Sequence, residues 1–106
     1  MRFVSREDLK AMLDGKVPLV IIDARNHEEF ESGHIPGAVS IPSARVGMRV
    51  LESYRRTDRI VTYCTDLNCE ASEITARKLE KFGFVDVLEF KGGIEDWKAA
   101  GYPVEK

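Results

Sequence analysis

The chain carries two cysteines, Cys64 and Cys69, and both fall in one stretch, IVTYCTDLNCEASEITARKLEKFG, residues 60–83. An apolar run ends in the first thiol, a polar loop carries the second, and a helical pattern follows. Three chemistries suit two thiols at this spacing: a disulfide, half of a zinc site, or a reactive nucleophile. In the third, the loop Thr65, Asp66, Leu67, Asn68, Cys69, Glu70, Ala71 turns the chain from strand to helix in few residues. Several of its backbone N–H groups, with those of the helix's first turn, then point inward and form a cradle for negative charge. A thiolate held there falls below the free thiol pKa of about 8.5 and becomes nucleophilic without a neighbouring histidine. On this segment alone, Cys64 reads equally well as a small buried hydrophobe at a strand end.

The elements that must position the thiols follow from pattern. VPLVIID (residues 17–23) and RIVTY (59–63) are aliphatic and β-branched runs of strand length without alternation, typical of parallel strands covered on both faces. VDVLEF (85–90) is the last strand, and AVSI (38–41), set between prolines, is a short one. Ser5 caps a first helix with Asp8 three residues on, Val4 staples against Leu9, and Gly15 stops it. Asn26 caps a short turn of helix. SARVGMRVLESY (43–54) is expected to be helical with Val46, Val50 and Leu51 inward, though Gly47 weakens it. The helix after Cys64 is expected to set Ala71, Ile74, Leu79 and Phe82 close to one face, with acids in its first turn and bases in its last, as the helix dipole favours. IEDWKAAG (94–101) is a final helix packing Ile94 and Trp97. Strands alternating with helices at this spacing give an α/β domain with a mainly parallel sheet and right-handed crossovers. Ligand sites in such sheets sit at the carboxyl ends of strands, where Cys64 lies.

Composition narrows the function classes. At 106 residues the chain reads as one domain, 1–106, with the motif-bearing core over about 15–104. A net charge of −2 does not suggest a nucleic-acid or acidic-membrane reader. The longest aliphatic run, Leu19 to Ile22, is far too short to span a bilayer, and no apolar leader follows Met1, so a cytoplasmic location is expected. Thiols in that compartment are kept reduced, which favours a functional role over a structural bridge. Two cysteines alone cannot complete a four-ligand zinc site, and His27 and His34 lack the paired spacing of zinc motifs, so neither a metal nor an organic cofactor is expected.

Longer motifs carry a family resemblance. IIDARNHEEFESGHIPGAVSIP (residues 21–42) resembles the N-terminal signature of the rhodanese family, an Asp-x-Arg after a strand followed by an aromatic residue and Gly-His-Ile-Pro-Gly-Ala. FKGGIEDWKAAGYPV (90–104) is similar to its C-terminal signature, and VTYC with the following ASEITARKLEKFGF matches its central element. The resemblance runs over nearly the whole chain with the motifs in family order. It implies a rhodanese-like open parallel β-sheet flanked by helices on both faces. It also implies a sulfurtransferase in which Cys64 takes a sulfane sulfur as a persulfide and passes it to a nucleophilic acceptor. Asp23, Arg25 and His34 occupy matching motif positions, with structural roles expected: Asp23 tying loops together, Arg25 pairing with Glu28 or Glu29, and His34 fixing the turn before Pro36. Trp97 is expected in the core.

The loop departs from the family pattern. It is about two residues longer, places Ser72 at the family's serine, and lacks a basic residue between Cys64 and Ser72, holding Asp66 and Glu70 instead. Carboxylates near the thiolate raise its pKa and repel a dianion such as thiosulfate. Thiosulfate turnover is therefore expected to be weak, with glutathione persulfide or a protein persulfide as alternative donors and a thiol as acceptor. The chain is expected to act as a monomer or weak homodimer, with neither nucleic acid nor membrane as partner. The longer loop also suits the family's phosphatases and arsenate reductases. Their chemistry needs an arginine at the loop's end, where this chain has Glu70 or Ala71. Cys69 is the unusual element. If it reaches Cys64 it is a resolving thiol, attacking the persulfide or rescuing an oxidised sulfur. If it faces the core it does neither. A rhodanese-like redox switch or binding module built on Cys64 and Cys69, without efficient turnover, is the alternative function.

Overall fold

A computed structural model describes residues 1–106. The β-branched runs form a five-stranded, all-parallel sheet in the order β1-β5-β4-β2-β3. The strands are β1 (Arg2–Phe3), β2 (Val20–Asp23), β3 (Val39–Ser40), β4 (Arg59–Tyr63) and β5 (Asp86–Phe90). Strand β4 is central, pairing with β2 through Asp23 opposite Tyr63 and with β5 through Thr62 opposite Glu89. Two-sided burial of the unalternating runs requires a hydrophobic layer on each face, and both are present. One layer packs α1 (Arg6–Asp14) and α5 (Gly93–Ala99) against Ile21, Val61, Tyr63, Leu88 and Phe90, with Leu9, Ile94 and Trp97 fully buried. The other packs α3 (Met48–Leu51) and α4 (Ala71–Lys81) against Ile22, Ile60 and Val87 through Leu51, Ala76 and Leu79.

Local chemistry sets the element ends. Ser5 Oγ accepts from the Asp8 amide and Asn26 Oδ1 from the Glu29 amide, capping α1 and α2 (His27–Ser32) as their types dictate. The segment after Pro42 is not one helix. It is a 3-10 turn, Ser43–Arg45, and the short α3, separated by an extended Gly47. Strand β1 carries no sequence periodicity. It forms because its register places Arg2 and Phe3 beside Leu88 and Glu89, and Arg2 then reaches Asp86.

Helix α4 presents a different face from the one its apolar residues suggest. Ser72, Thr75, Ala76 and Leu79 are buried, whereas Ile74 is 44% exposed and Phe82 only half-buried. The first turns of α4 lie over polar side chains of the sheet rather than over apolar ones, and the Thr62 hydroxyl donates to the Ser72 carbonyl at 2.9 Å. No helix is long and apolar enough to cross a membrane.

Candidate active site

Strand β4 ends at Tyr63 and delivers Cys64, 1% exposed, to the carboxyl edge of the sheet. The chain then loops through residues 65–70 into the N-terminus of α4. Within the loop, the Asn68 amide donates to Asp66 Oδ1 and the Cys69 amide to the Asp66 carbonyl, an Asx-type turn that folds residues 66–69 back on themselves. This turn brings the Cys69 Cα to 6.4 Å from that of Cys64, and the two sulfurs are joined as a disulfide. The expectation that Cys69 either reaches Cys64 or faces the core is thus resolved toward contact.

The loop amides of Thr65, Leu67 and Glu70 and the first α4 amides of Ala71, Ser72 and Glu73 bond to no group within the chain. Those of α4 also carry the positive end of an 11-residue helix dipole. Negative charge on sulfur, or on a donor bound against the loop, is therefore favoured at this helix end. Asp66 spends one carboxylate oxygen on the Asn68 amide, and Glu70 is exposed and caps nothing.

The other flank of the loop is held by α5. The amides of Ile94 and Glu95 donate to the carbonyls of Cys64 and Thr65 at 2.9 and 3.0 Å. Asp66, Leu67 and Asn68 face Gly92, Glu95 and Asp96 across an open cavity of about 490 Å³. Neither cysteine lines that cavity. Leu67, 66% exposed, stands at its rim, and Asp96 is engaged by Arg6 at 3.1 Å.

The three motif residues stand on the other side of β4. Asp23 and Arg25 form a buried pair, with Arg25 Nη2 at 2.8 Å from Asp23 Oδ2 and 2.7 Å from the Gly33 carbonyl. Arg25 thus pairs with Asp23 and not with Glu28 or Glu29. The reason is geometric: Asp23 is the last residue of β2, its Oδ1 already accepts the Arg25 amide, and the guanidinium closes the same fork. The Tyr63 hydroxyl donates to Asp23 Oδ2 at 2.7 Å and accepts from the Ile35 amide at 3.1 Å. Burial, with the Asp23 carboxylate beside it, pushes the Tyr63 phenol far above its ordinary range. Asp23 is linked through Arg25 to the Gly33 carbonyl and through Tyr63 to the Ile35 amide, and Tyr63 is the partner that the motif did not disclose. His34 exchanges backbone hydrogen bonds with Glu105, donates from Nδ1 to the Phe30 carbonyl and stacks on the Phe30 ring, fixing the turn before Pro36. Trp97 is wholly buried and donates to the Pro103 carbonyl.

Beneath Cys64 lies a group that sequence reasoning missed. Ser72 Oγ is 3.4 Å from Cys64 Sγ, and its hydroxyl donates to Glu89 Oε2 at 2.7 Å. Glu89 is fully buried, and its other oxygen meets no donor. The available signal was a carboxylate between Leu88 and Phe90 in the middle of an apolar strand.

Comparison with known proteins agrees with this architecture. A rhodanese-like domain profile matches residues 5–100. The chain is 37% identical over 94 residues to the putative sulfur carrier protein YrkF of Bacillus subtilis, covering 89% of this chain and 49% of YrkF. It is 35% identical over 88 residues to the HTH-type transcriptional regulator Rv0324 of Mycobacterium tuberculosis, covering 83% of this chain and 38% of the regulator. It thus spans less than half the length of either relative. The crystal structure of a thiosulfate sulfurtransferase from Pseudomonas aeruginosa superimposes with a TM-score of 0.87 at 29% identity, over 99% of this chain and 20% of that one. With the parallel sheet, the Asp23–Arg25 fork and Cys64 at the end of the central strand, the profile match establishes that the chain belongs to the rhodanese-like domain family.

Proposed function

We propose that this protein is a sulfurtransferase carrying a sulfane sulfur on Cys64. The observation that carries the reading is the position of Cys64, buried at the end of the central strand and followed by a loop and helix start whose amides are unpaired. The Cys64 thiolate attacks the sulfane sulfur of the donor. The donor S–S bond breaks, its electron pair leaves with sulfite or with a thiolate, and Cys64 becomes a persulfide. An acceptor thiolate then attacks the outer sulfur, and Cys64 leaves as a thiolate. The amide cradle favours the anionic sulfur at both steps. Kinship to a sulfur carrier and to a sulfurtransferase supports this reading.

The disulfide gives Cys69 a part in it. Attack of the Cys69 thiolate on the Cys64 sulfur of the persulfide expels hydrosulfide and leaves the Cys64–Cys69 disulfide, which a dithiol reductant reopens. The same bond favours a second reading, a thiol–disulfide switch in which no sulfur is carried. Intact-mass measurement on the reduced chain, before and after thiosulfate or glutathione persulfide, decides between them. A gain of one sulfur atom, absent in Cys64→Ser and longer-lived in Cys69→Ser, is the expected result. Disulfide formation in the parent, with no sulfur gain in the parent or in Cys69→Ser, overturns sulfur transfer and leaves the switch.

A further inference from the structure

We propose that Glu89 is the proton acceptor for Cys64, acting through the Ser72 hydroxyl. The proposal rests on Cys64 being the reacting thiol. Three atoms make the path: Cys64 Sγ, Ser72 Oγ at 3.4 Å, and Glu89 Oε2 a further 2.7 Å on. In the disulfide the sulfur has no hydrogen, so the single hydroxyl hydrogen of Ser72 points to Glu89. On reduction the thiol hydrogen is offered to Ser72 Oγ. The thiol proton then passes to Ser72 as the Ser72 proton passes to Glu89 Oε2, and the electron pair stays on sulfur. One proton has moved, and nothing is oxidised. When an acceptor expels Cys64 from its persulfide, the same path returns a hydrogen bond, or the proton, to the departing sulfur.

The surroundings suit a proton acceptor better than a structural carboxylate. A buried carboxylate kept for stability is ordinarily paired and bonded at both oxygens, whereas the hydroxyl of Ser72 is the one hydrogen-bond donor to the Glu89 side chain, and Oε1 meets none. The charged groups on adjoining elements are engaged elsewhere. On α4, Glu73 pairs with Arg77, Lys78 donates to the Ser43 carbonyl, and Glu70 is exposed. On β4 and β5, Arg59 pairs with Asp86 at the far end of the strands, and on β1 Arg2 joins the same carboxylate. In the loop, Asp66 holds the Asn68 amide. The relay is also held rigidly, because the Thr62 hydroxyl donates to the Ser72 carbonyl and fixes the first turn of α4 over the strand.

A thiol and a carboxyl that share one proton titrate as a pair. While one proton remains between them, a fixed fraction of the sulfur is thiolate whatever the pH. The test is the pH dependence of Cys64 alkylation by iodoacetamide in the Cys69→Ser chain, which requires no sulfur donor and is read even if sulfur transfer fails. The expected profile has two rises separated by a plateau. Glu89→Gln keeps the shape and the hydrogen bond to Ser72 but accepts no proton. Its profile is expected to be a single step that falls tenfold per pH unit below the midpoint. Two units below that midpoint, Cys69→Ser then alkylates at least tenfold faster than its Glu89→Gln derivative. Ser72→Ala is expected to lose the plateau in the same way and carries the test should Glu89→Gln fail to fold. Superimposable single-step profiles for Cys69→Ser and either derivative overturn the relay. A plateau that survives Ser72→Ala overturns the path through that hydroxyl. Absence of sulfur gain in the mass experiment, with the plateau intact, overturns sulfur transfer and not the relay.

Discussion

Gly93 sits against the Cys64 carbonyl so closely that a Cβ at position 93 would lie 2.6 Å from that oxygen and equally close to the Thr65 carbonyl group. Its φ of +69° is also one that L side chains rarely adopt. The close approach lets the next two amides, of Ile94 and Glu95, clamp the start of the Cys64 loop. Both neighbours are backbone, so no side chain can swing aside to make room. Gly93→Ala is expected to cost about 1–2 kcal/mol from backbone conformation alone, and more from the displaced loop. Chemical denaturation checks the stability. Slower Cys64 alkylation in the folded, reduced variant checks the loop, and an alkylation rate equal to the parent's would show that the clamp does not position the thiol.

Tyr63 and Asp23 give a prediction with a definite sign. Burial and the neighbouring carboxylate raise the Tyr63 phenol above its unfolded value of about 10. Above that pH the unfolded chain loses the phenolic proton while the folded chain keeps it, so the unfolded state binds fewer protons and stability falls as pH rises. The Tyr63 contribution is therefore fully present below pH of about 10 and declines above it, with a limiting slope of about 1.4 kcal/mol per pH unit. Tyr63→Phe removes that slope. It also leaves the Ile35 amide without its acceptor and Asp23 Oδ2 without one donor, at a cost of about 1–3 kcal/mol near neutral pH. Stability curves of parent and variant across neutral and alkaline pH should therefore converge as pH rises. Parallel curves would refute the assignment.

Much of this site was legible in the sequence, and the gaps have physical causes. Two-sided burial of VIID and RIVTY follows from unbroken apolar runs, and the position of Cys64 at a strand end follows with it. Motif order carried the family to the correct fold. Ser72, Thr75 and Glu89 were not read as an inner face because a hydrophobic pattern detects apolar burial, and these are polar groups buried together. Reading α4 by its apolar residues consequently turned Ile74 inward, when it is exposed. The Arg25 partner was misassigned for a related reason. Sequence proximity offered Glu28 and Glu29, but strand geometry had already fixed Asp23 beside the Arg25 backbone. Cys69 was the open case. A spacing of five permits contact without imposing it, and the Asx turn at Asp66 decides it.

The acidic character of the loop yields the last prediction. Asp66 is half-buried with one oxygen committed to the Asn68 amide, so replacing it would disturb the turn that carries Cys69. Glu70 is exposed, caps nothing and precedes α4, so its charge can be reversed with little structural consequence. A dianionic donor approaching the amides at this helix end meets the Glu70 carboxylate at close range, where the repulsion of exposed charges is about 1 kcal/mol per unit pair. Glu70→Arg exchanges that repulsion for attraction and supplies a guanidinium able to bind the donor oxygens in bidentate fashion. Thiosulfate-dependent sulfur uptake by the reduced chain is expected to rise at least about fivefold, with the gain shrinking as ionic strength is raised. Uptake from glutathione persulfide, whose reacting end carries less charge, is expected to change less. Mass-resolved uptake rates with both donors at low and high salt make the comparison. An equal gain with both, insensitive to salt, would show that Glu70 acts on the thiol rather than on the donor.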